Sequence, residues 1–356
     1  MLRSTEELEA LSKINPELEA ILKQTGPLPD ITSLEPAQIR EAAKLRVRQL
    51  PSSIDTSFNN VTTNDITIPA RDHYAIPARV YKPIKASQSG SPLIVNYHGG
   101  GFVLGGLDND DLVCKVWVQE LGVVVVSVDY RLAPEYKFPI GVNDAWDSLK
   151  WVRLMHNRLS HHNLIYNFQV AAKASSLDAN PTLGFIISGT SAGANFADVA
   201  AHLARDTSLS PPLTGSLLII PTLIGDPTLL PPHLAAHHLS QRQNANAPLL
   251  NSTLSSYFMS HYAPDRSSHL YRPFFWPDKG HKGMPKTCFL VCGMDPLRDD
   301  AFVYQHALEE EGVKTRAYVY SGCPHGFLSV FPQIKEAERF VREGVLGLGW
   351  LLGREG

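Results

Sequence analysis

The stretch Leu183-Gly184-Phe185-Ile186-Ile187-Ser188-Gly189-Thr190-Ser191-Ala192-Gly193-Ala194-Asn195 constrains this chain more than any other. Its apolar run has the length and branching of a buried strand and ends in Gly-Thr-Ser-Ala-Gly. The alanine-rich pattern that follows, Phe196-Ala197-Asp198-Val199-Ala200-Ala201-His202-Leu203, has helical period. Strand, tight turn and helix in that order strain the backbone of the central serine and lift its hydroxyl above a sheet, while Gly189 and Gly193 let helix and strand pass close together. Ser191 is therefore the candidate nucleophile.

The rest of the chain supplies a body to carry such a turn. At 356 residues it accommodates one catalytic domain with an insertion. A hydrophobic content of 44% and a charged content of 19% provide ample core. A net charge of −3 and no basic stripe argue against a nucleic-acid partner. The four cysteines (Cys114, Cys288, Cys292, Cys323) show no metal-ligand spacing. Cys288 and Cys292 fall in one expected strand about 13 Å apart, too far for a disulfide. No stretch reaches the ~20 apolar residues of a membrane span, and the acidic start lacks the apolar core of a signal peptide. The chain reads as soluble, cytoplasmic and reduced.

Residues 1–50 carry helical periodicity interrupted by Pro16, Pro27, Pro29 and Pro36, which predicts short amphipathic helices. Val61 to Tyr81 reads as an antiparallel hairpin, with Pro77 pointing to a sheet edge. The apolar run Pro92–Tyr97 leads into His98-Gly99-Gly100-Gly101-Phe102, where consecutive glycines free backbone N–H groups to point inward, as an oxyanion requires. A helix and the strand Val123–Asp129 complete a βαβ unit. The charges of Asp129-Tyr130-Arg131-Leu132-Ala133-Pro134-Glu135 are expected to pair and fix a turn. Residues 157–182, with His161 and His162, read as a surface loop. A strand at Gly215–Pro221 precedes residues 222–285, whose aromatic cluster from Tyr257 to Trp276 suggests a lid over an apolar pocket. The sheet resumes at Thr287–Gly293, with Asp295 just beyond it, and again at Thr315–Tyr320, which runs into the loop bearing His325. Loops after the carboxyl ends of parallel strands are where such sheets place their chemistry.

Five segments together resemble the hormone-sensitive-lipase family of α/β-hydrolase carboxylesterases: His98-Gly99-Gly100-Gly101-Phe102, Tyr130 to Glu135, Gly189-Thr190-Ser191-Ala192-Gly193, Asp295-Pro296-Leu297-Arg298-Asp299 and His325-Gly326-Phe327. The likeness spans about residues 60–350. It implies an α/β-hydrolase fold, a mostly parallel eight-stranded sheet flanked by helices under a mainly helical cap. The catalytic domain would be 51–221 with 286–356, and the cap 222–285 with the helices of 1–50. It also implies hydrolysis of small to medium carboxylic esters, a small-molecule partner, without metal or organic cofactor; a homodimer is left open. Thr190 and Ala194 depart from the family's commoner Gly-Asp-Ser-Ala-Gly-Gly.

In that reading Ser191, Asp295 and His325 are the catalytic residues, in the chain order nucleophile, acid, histidine. Gly100, Gly101 and Ala192 supply the oxyanion hole, and Phe102, Phe258, Phe274 and Phe327 are the candidate pocket residues. His98 is expected to brace its own loop. An acyltransferase or biosynthetic tailoring enzyme with the same triad remains open, because pocket shape chooses the acceptor. A small-molecule receptor of the same fold is the remaining alternative, disfavoured by the presence of His325.

Overall fold

The computed structural model describes residues 2–45, 49–85, 87–154 and 177–354. Eight strands form one sheet: β1 (Val61–Pro69), β2 (Ala75–Pro83), β3 (Leu93–Tyr97), β4 (Val124–Val128), β5 (Phe185–Thr190), β6 (Gly215–Ile219), β7 (Thr287–Met294) and β8 (Thr315–Pro324). Their spatial order is β1-β2-β4-β3-β5-β6-β7-β8. β1 and β2 run antiparallel to their neighbours, and β4-β3-β5-β6-β7-β8 are parallel throughout.

The central parallel strands β3 to β7 are apolar on both faces because helices cover both faces, whereas the edge strand β1 is largely exposed. Val95, Val126, Ile187, Leu218 and Phe289 point into one core, under α5 (Ile140–Leu154), α6 (Ala192–Asp206) and α10 (Arg298–Glu310). Their neighbours Ile94, Val125, Ile186, Leu217 and Cys288 point into the other, under α4 (Asp111–Leu121) and α11 (Lys335–Leu351). This period of two is what a strand requires. The β1–β2 hairpin is as expected, but Pro77 is not on the edge strand. It lies just beyond the β2–β4 ladder, where only its carbonyl is used, accepting from Asp129 N–H at 2.9 Å.

Two of the four early prolines open helices, while Pro27 and Pro29 lie in the link between them. Pro16 opens α2 (Pro16–Thr25) and Pro36 opens α3 (Pro36–Lys44), positions where the missing N–H costs nothing. Ser4 caps α1 (Thr5–Leu11) through a capping box, and Asn15 caps α2. The link between α1 and α2 lies against Gly293 and Gly322, where a Cβ would overlap the main chain of Leu11 and Lys13.

Between β6 and β7 the chain makes a long excursion containing α7 (Pro232–Ala235), α8 (Ser240–Gln243) and α9 (Ser252–Tyr262). The start of α10 anchors it. The Asp300 carboxylate accepts from Leu223 N–H, Ile224 N–H and His238 Nε2 at 2.8, 3.0 and 2.7 Å. Asp299 accepts from Leu239 and Ser240 N–H, both at 2.7 Å. Burial, the largest single influence, lowers the His238 imidazole, but the hydrogen bond to Asp300 together with the charges of Asp300 and Asp299 raises it on balance.

His161 and His162 lie outside the described residues, which resume at the buried Leu177; beyond it Asp178 O accepts from Ser91 N–H and Asn180 N–H donates to Ser91 O. All four cysteines are buried free thiols. Among the described residues no helix is long and apolar enough to cross a membrane, and no group of His, Cys, Asp or Glu could hold a metal.

Candidate active site

Parallel strands bring their carboxyl ends to one edge of the sheet, and β3, β5, β7 and β8 deliver the chemistry-bearing segments there. Ser191 sits between β5 and α6 with φ +56°, the strained backbone expected of a sharp elbow. Close packing explains the following glycine, because a Cβ on Gly193 would overlap the carbonyls of Tyr97 and His98 at the end of β3. The Ser191 N–H is held by Ile219 O at 2.8 Å.

Asp295 and His325 follow β7 and β8 directly. His325 Nε2 lies 2.8 Å from Ser191 Oγ, and its Nδ1 lies 2.7 Å from Asp295 Oδ2. The second Asp295 oxygen accepts from Leu297 N–H at 2.8 Å. A side chain from the excursion completes the support: Asn244 Nδ2 donates to the Asp295 carbonyl at 3.0 Å. Nothing in the sequence around Asn244 announces this role, because the contact spans distant segments. Arg298 was visible as part of a motif, and the structure shows what it touches. It is buried, pairs with Asp299 and donates to Leu8 O, Ser12 Oγ and Gln243 Oε1.

The glycine segment lies across the mouth of the elbow. Neither Gly100 nor Gly101 donates to another main-chain group among the described residues, and both line the same cavity as Ser191, Ala192 and His325. The loop is pinned from several sides. Gly100 O accepts from Val103 and Leu104 N–H, Phe102 O accepts from Ala133 N–H, and Tyr130 Oη donates to His98 O at 2.7 Å. The His98 ring stacks on Tyr130 and contacts its own loop at Gly99 O, 2.9 Å away. The charges of the Tyr130–Glu135 turn pair as expected. Arg131 forks onto Asp144 and reaches Asp72, while Glu135 accepts from Arg40 of α3. Burial pushes the Tyr130 phenol up, so it acts as a neutral donor.

The cavity encloses about 430 Å³, within the usual range for small-molecule sites. Phe102 and Phe258 line it, together with Leu250, Met259 and Tyr271. Among the described residues Asp110 and Asp300 are its lining carboxylates, and no lysine or arginine lines it. Phe274 is elsewhere. Its ring packs on Phe275, His281 and Tyr304 beneath the excursion, 5.1, 5.8 and 6.4 Å between centroids. Aromatic clustering in sequence gave no way to separate the two faces of the excursion. Phe327 is buried among Tyr320 and Phe340 and lines a smaller recess of about 70 Å³, which shares Thr190, Asn109 and Gly326 with the main cavity.

This fold and this arrangement define a class. A family profile for the α/β-hydrolase fold matches residues 94–329, and the chain belongs to that family, in its hormone-sensitive-lipase branch. An AB hydrolase superfamily protein of Schizosaccharomyces pombe is 36% identical over 345 residues, 97% of this chain and 95% of the relative. Carboxylesterase NlhH of Mycobacterium tuberculosis is 32% identical over 340 residues, 94% and 95% of the two chains. Among solved structures, vibralactone cyclase superposes with a TM-score of 0.79 at 29% identity, covering 99% of this chain and 98% of the other.

Proposed function

We propose that the chain hydrolyses carboxylic esters of small to medium, fairly apolar, uncharged substrates through an acyl-enzyme on Ser191. The observation that carries this reading is the unbroken line of contacts from Asp295 through His325 to Ser191 at the wall of the 430 Å³ cavity. Relatives named as carboxylesterase and arylesterase support it.

Ser191 Oγ attacks the ester carbonyl carbon as His325 Nε2 takes its proton. Asp295, accepting from Nδ1–H, fixes the tautomer and steadies the imidazolium. The carbonyl oxygen becomes an oxyanion held by the N–H groups of Gly100, Gly101 and Ala192, each donor lowering the barrier by about 3–4 kcal/mol by precedent. Collapse expels the alcohol, which leaves with the proton from His325. Water then attacks the acyl-enzyme by the same route and restores Ser191.

Within this reading, residues 222–285 together with 1–50 form the cap, and 51–221 with 286–356 form the catalytic domain. The buried free thiols are consistent with a reducing, cytoplasmic setting. A second reading, in which an alcohol replaces water as acceptor, draws on the likeness to a cyclase. Assays of Ser191→Ala, and of the wild type with and without added alcohols, against p-nitrophenyl esters test both. Turnover near the wild-type rate would refute an acyl-enzyme on Ser191, and added alcohols that divert product from acid to new ester would favour transfer.

A further inference from the structure

We propose that Tyr262, on α9 of the excursion, is a positioning residue for the oxyanion hole. The inference rests on the reading of Gly100 and Gly101 as oxyanion donors. Gly101 and Phe102 are consecutive residues with positive φ, +60° and +66°. Glycine takes this conformation freely, whereas phenylalanine adopts it only where its surroundings hold it there.

Three contacts hold Phe102. Its carbonyl accepts from Ala133 N–H at 3.0 Å. Its ring meets Phe196 at 5.2 Å and a tilt of 53°. The third is the closer of the two ring contacts: the ring lies flat on Tyr262, with centroids 4.0 Å apart and planes within 6°. Ala133 and Phe196 come from the sheet and its flanking segments, and Tyr262 comes from the excursion.

Tyr262 is itself fixed. It is buried, its carbonyl accepts from Phe138 N–H at 3.2 Å, and the Phe138 ring meets it edge-on at 5.8 Å. One turn earlier, Phe258 fills the space beside Gly101. Residues 258 and 262 share a helix face, so α9 lays two adjacent rings along the loop that carries the donors. Without the flat face of residue 262, Phe102 relaxes towards negative φ and reorients the peptides around Gly101. Among the described residues the buried Tyr262 hydroxyl has no hydrogen-bond partner. The ring does the positioning, and the hydroxyl is dispensable.

The same helix lines the cavity through Ser255 and Met259. A substrate seated on α9 therefore presses on the element that holds the oxyanion donors, and part of its binding is expressed in kcat.

The test uses the full chain with Tyr262→Phe, Tyr262→Leu and Tyr262→Met. The measurements are kcat and KM for p-nitrophenyl acetate, melting temperature, and the inhibition constant of an aryl trifluoromethyl ketone. Ser191 Oγ adds to the ketone carbonyl carbon, its proton passes to His325, and the resulting hemiketal oxyanion occupies the donor site. Tyr262→Leu and Tyr262→Met are expected to lower kcat by about 10- to 100-fold with KM within about threefold, and to weaken the ketone by the same factor. Tyr262→Phe stays within about twofold in every quantity, because the stack survives. Should Tyr262→Leu fail to fold, Tyr262→Met, which retains apolar bulk, decides by the same criteria. A kcat loss below about threefold, a loss carried by KM, unchanged ketone affinity, or damage in Tyr262→Phe equal to that in Tyr262→Leu overturns the proposal. Ser191→Ala retaining turnover, or a wild type indifferent to the ketone, would instead bring down the active-site reading and this proposal with it.

Discussion

Gly101 and Phe258 are fitted to one another: a Cβ on Gly101 would overlap the Phe258 ring. Gly101→Ala is expected to lower kcat/KM by about 100-fold, the scale of a displaced oxyanion donor. Phe258→Ala in the same chain removes the overlap but not the cost of alanine at φ +60°. The double variant should recover about tenfold. A double-mutant cycle on kcat/KM with no recovery would show that packing is not what requires glycine here.

The two phenylalanines of the excursion separate into two kinds of effect. Phe258→Ala enlarges the cavity and should shift the kcat/KM ratio between long and short acyl esters by ~1–3 kcal/mol. Phe274→Ala, packed on Phe275, His281 and Tyr304, should leave that ratio unchanged while costing roughly 3 kcal/mol of stability. Chain-length profiles and denaturant midpoints on both variants check the division.

Charge should discriminate as well as size. Asp110 lines the cavity and, among the described residues, no lysine or arginine does, so an ester bearing a free carboxylate finds no cation to receive it. The p-nitrophenyl hemiester of a dicarboxylic acid should fall at least about tenfold in kcat/KM below a neutral ester of equal length. Parity between the two would remove the electrostatic part of the substrate assignment.

Acid should loosen the junction between the excursion and α6. His281 packs against His202, with ring nitrogens 3.2 Å apart. Burial, with His202 nearby, lowers the His281 imidazole from 6.5 to about 4. The folded state thus binds fewer protons than the unfolded state between those values. The contribution of a neutral His281 is complete above about pH 6.5 and is lost as the pH falls towards 4, by roughly 3 kcal/mol. Melting temperature followed from pH 7 to 4 should fall less steeply in His281→Gln than in the wild type.

Local pattern made much of this molecule legible. The apolar strands, the glycines flanking Ser191, and the positions of Asp295 and His325 after their strands are all written within a few residues of where they act. What escaped depends on contacts between distant segments. Asn244 reaches Asp295 across a fold that no spacing announces. Phe274 and Phe258 belong to the same aromatic run but face different sides of the excursion, and only packing against α10 and the glycine loop separates them. Pro16 and Pro36 read as interruptions until their caps showed them to be starts.

The seat of α1 carries a consequence for the order in which the chain can fold. Arg298 donates to Leu8 O across 290 residues of sequence, and the link after α1 rests on Gly293 and Gly322. During synthesis the first helices leave the ribosome long before the strands that receive them. Leu8 and Leu18, buried in the finished fold, stay exposed through that interval, and docking closes one of the longest loops the chain contains. At the 5–20 residues per second typical of translation, the wait lasts roughly 15 to 60 seconds. Chaperone demand should therefore fall on the nascent amino-terminal arm, and a permuted chain that places these helices after β8 should refold faster than the natural order.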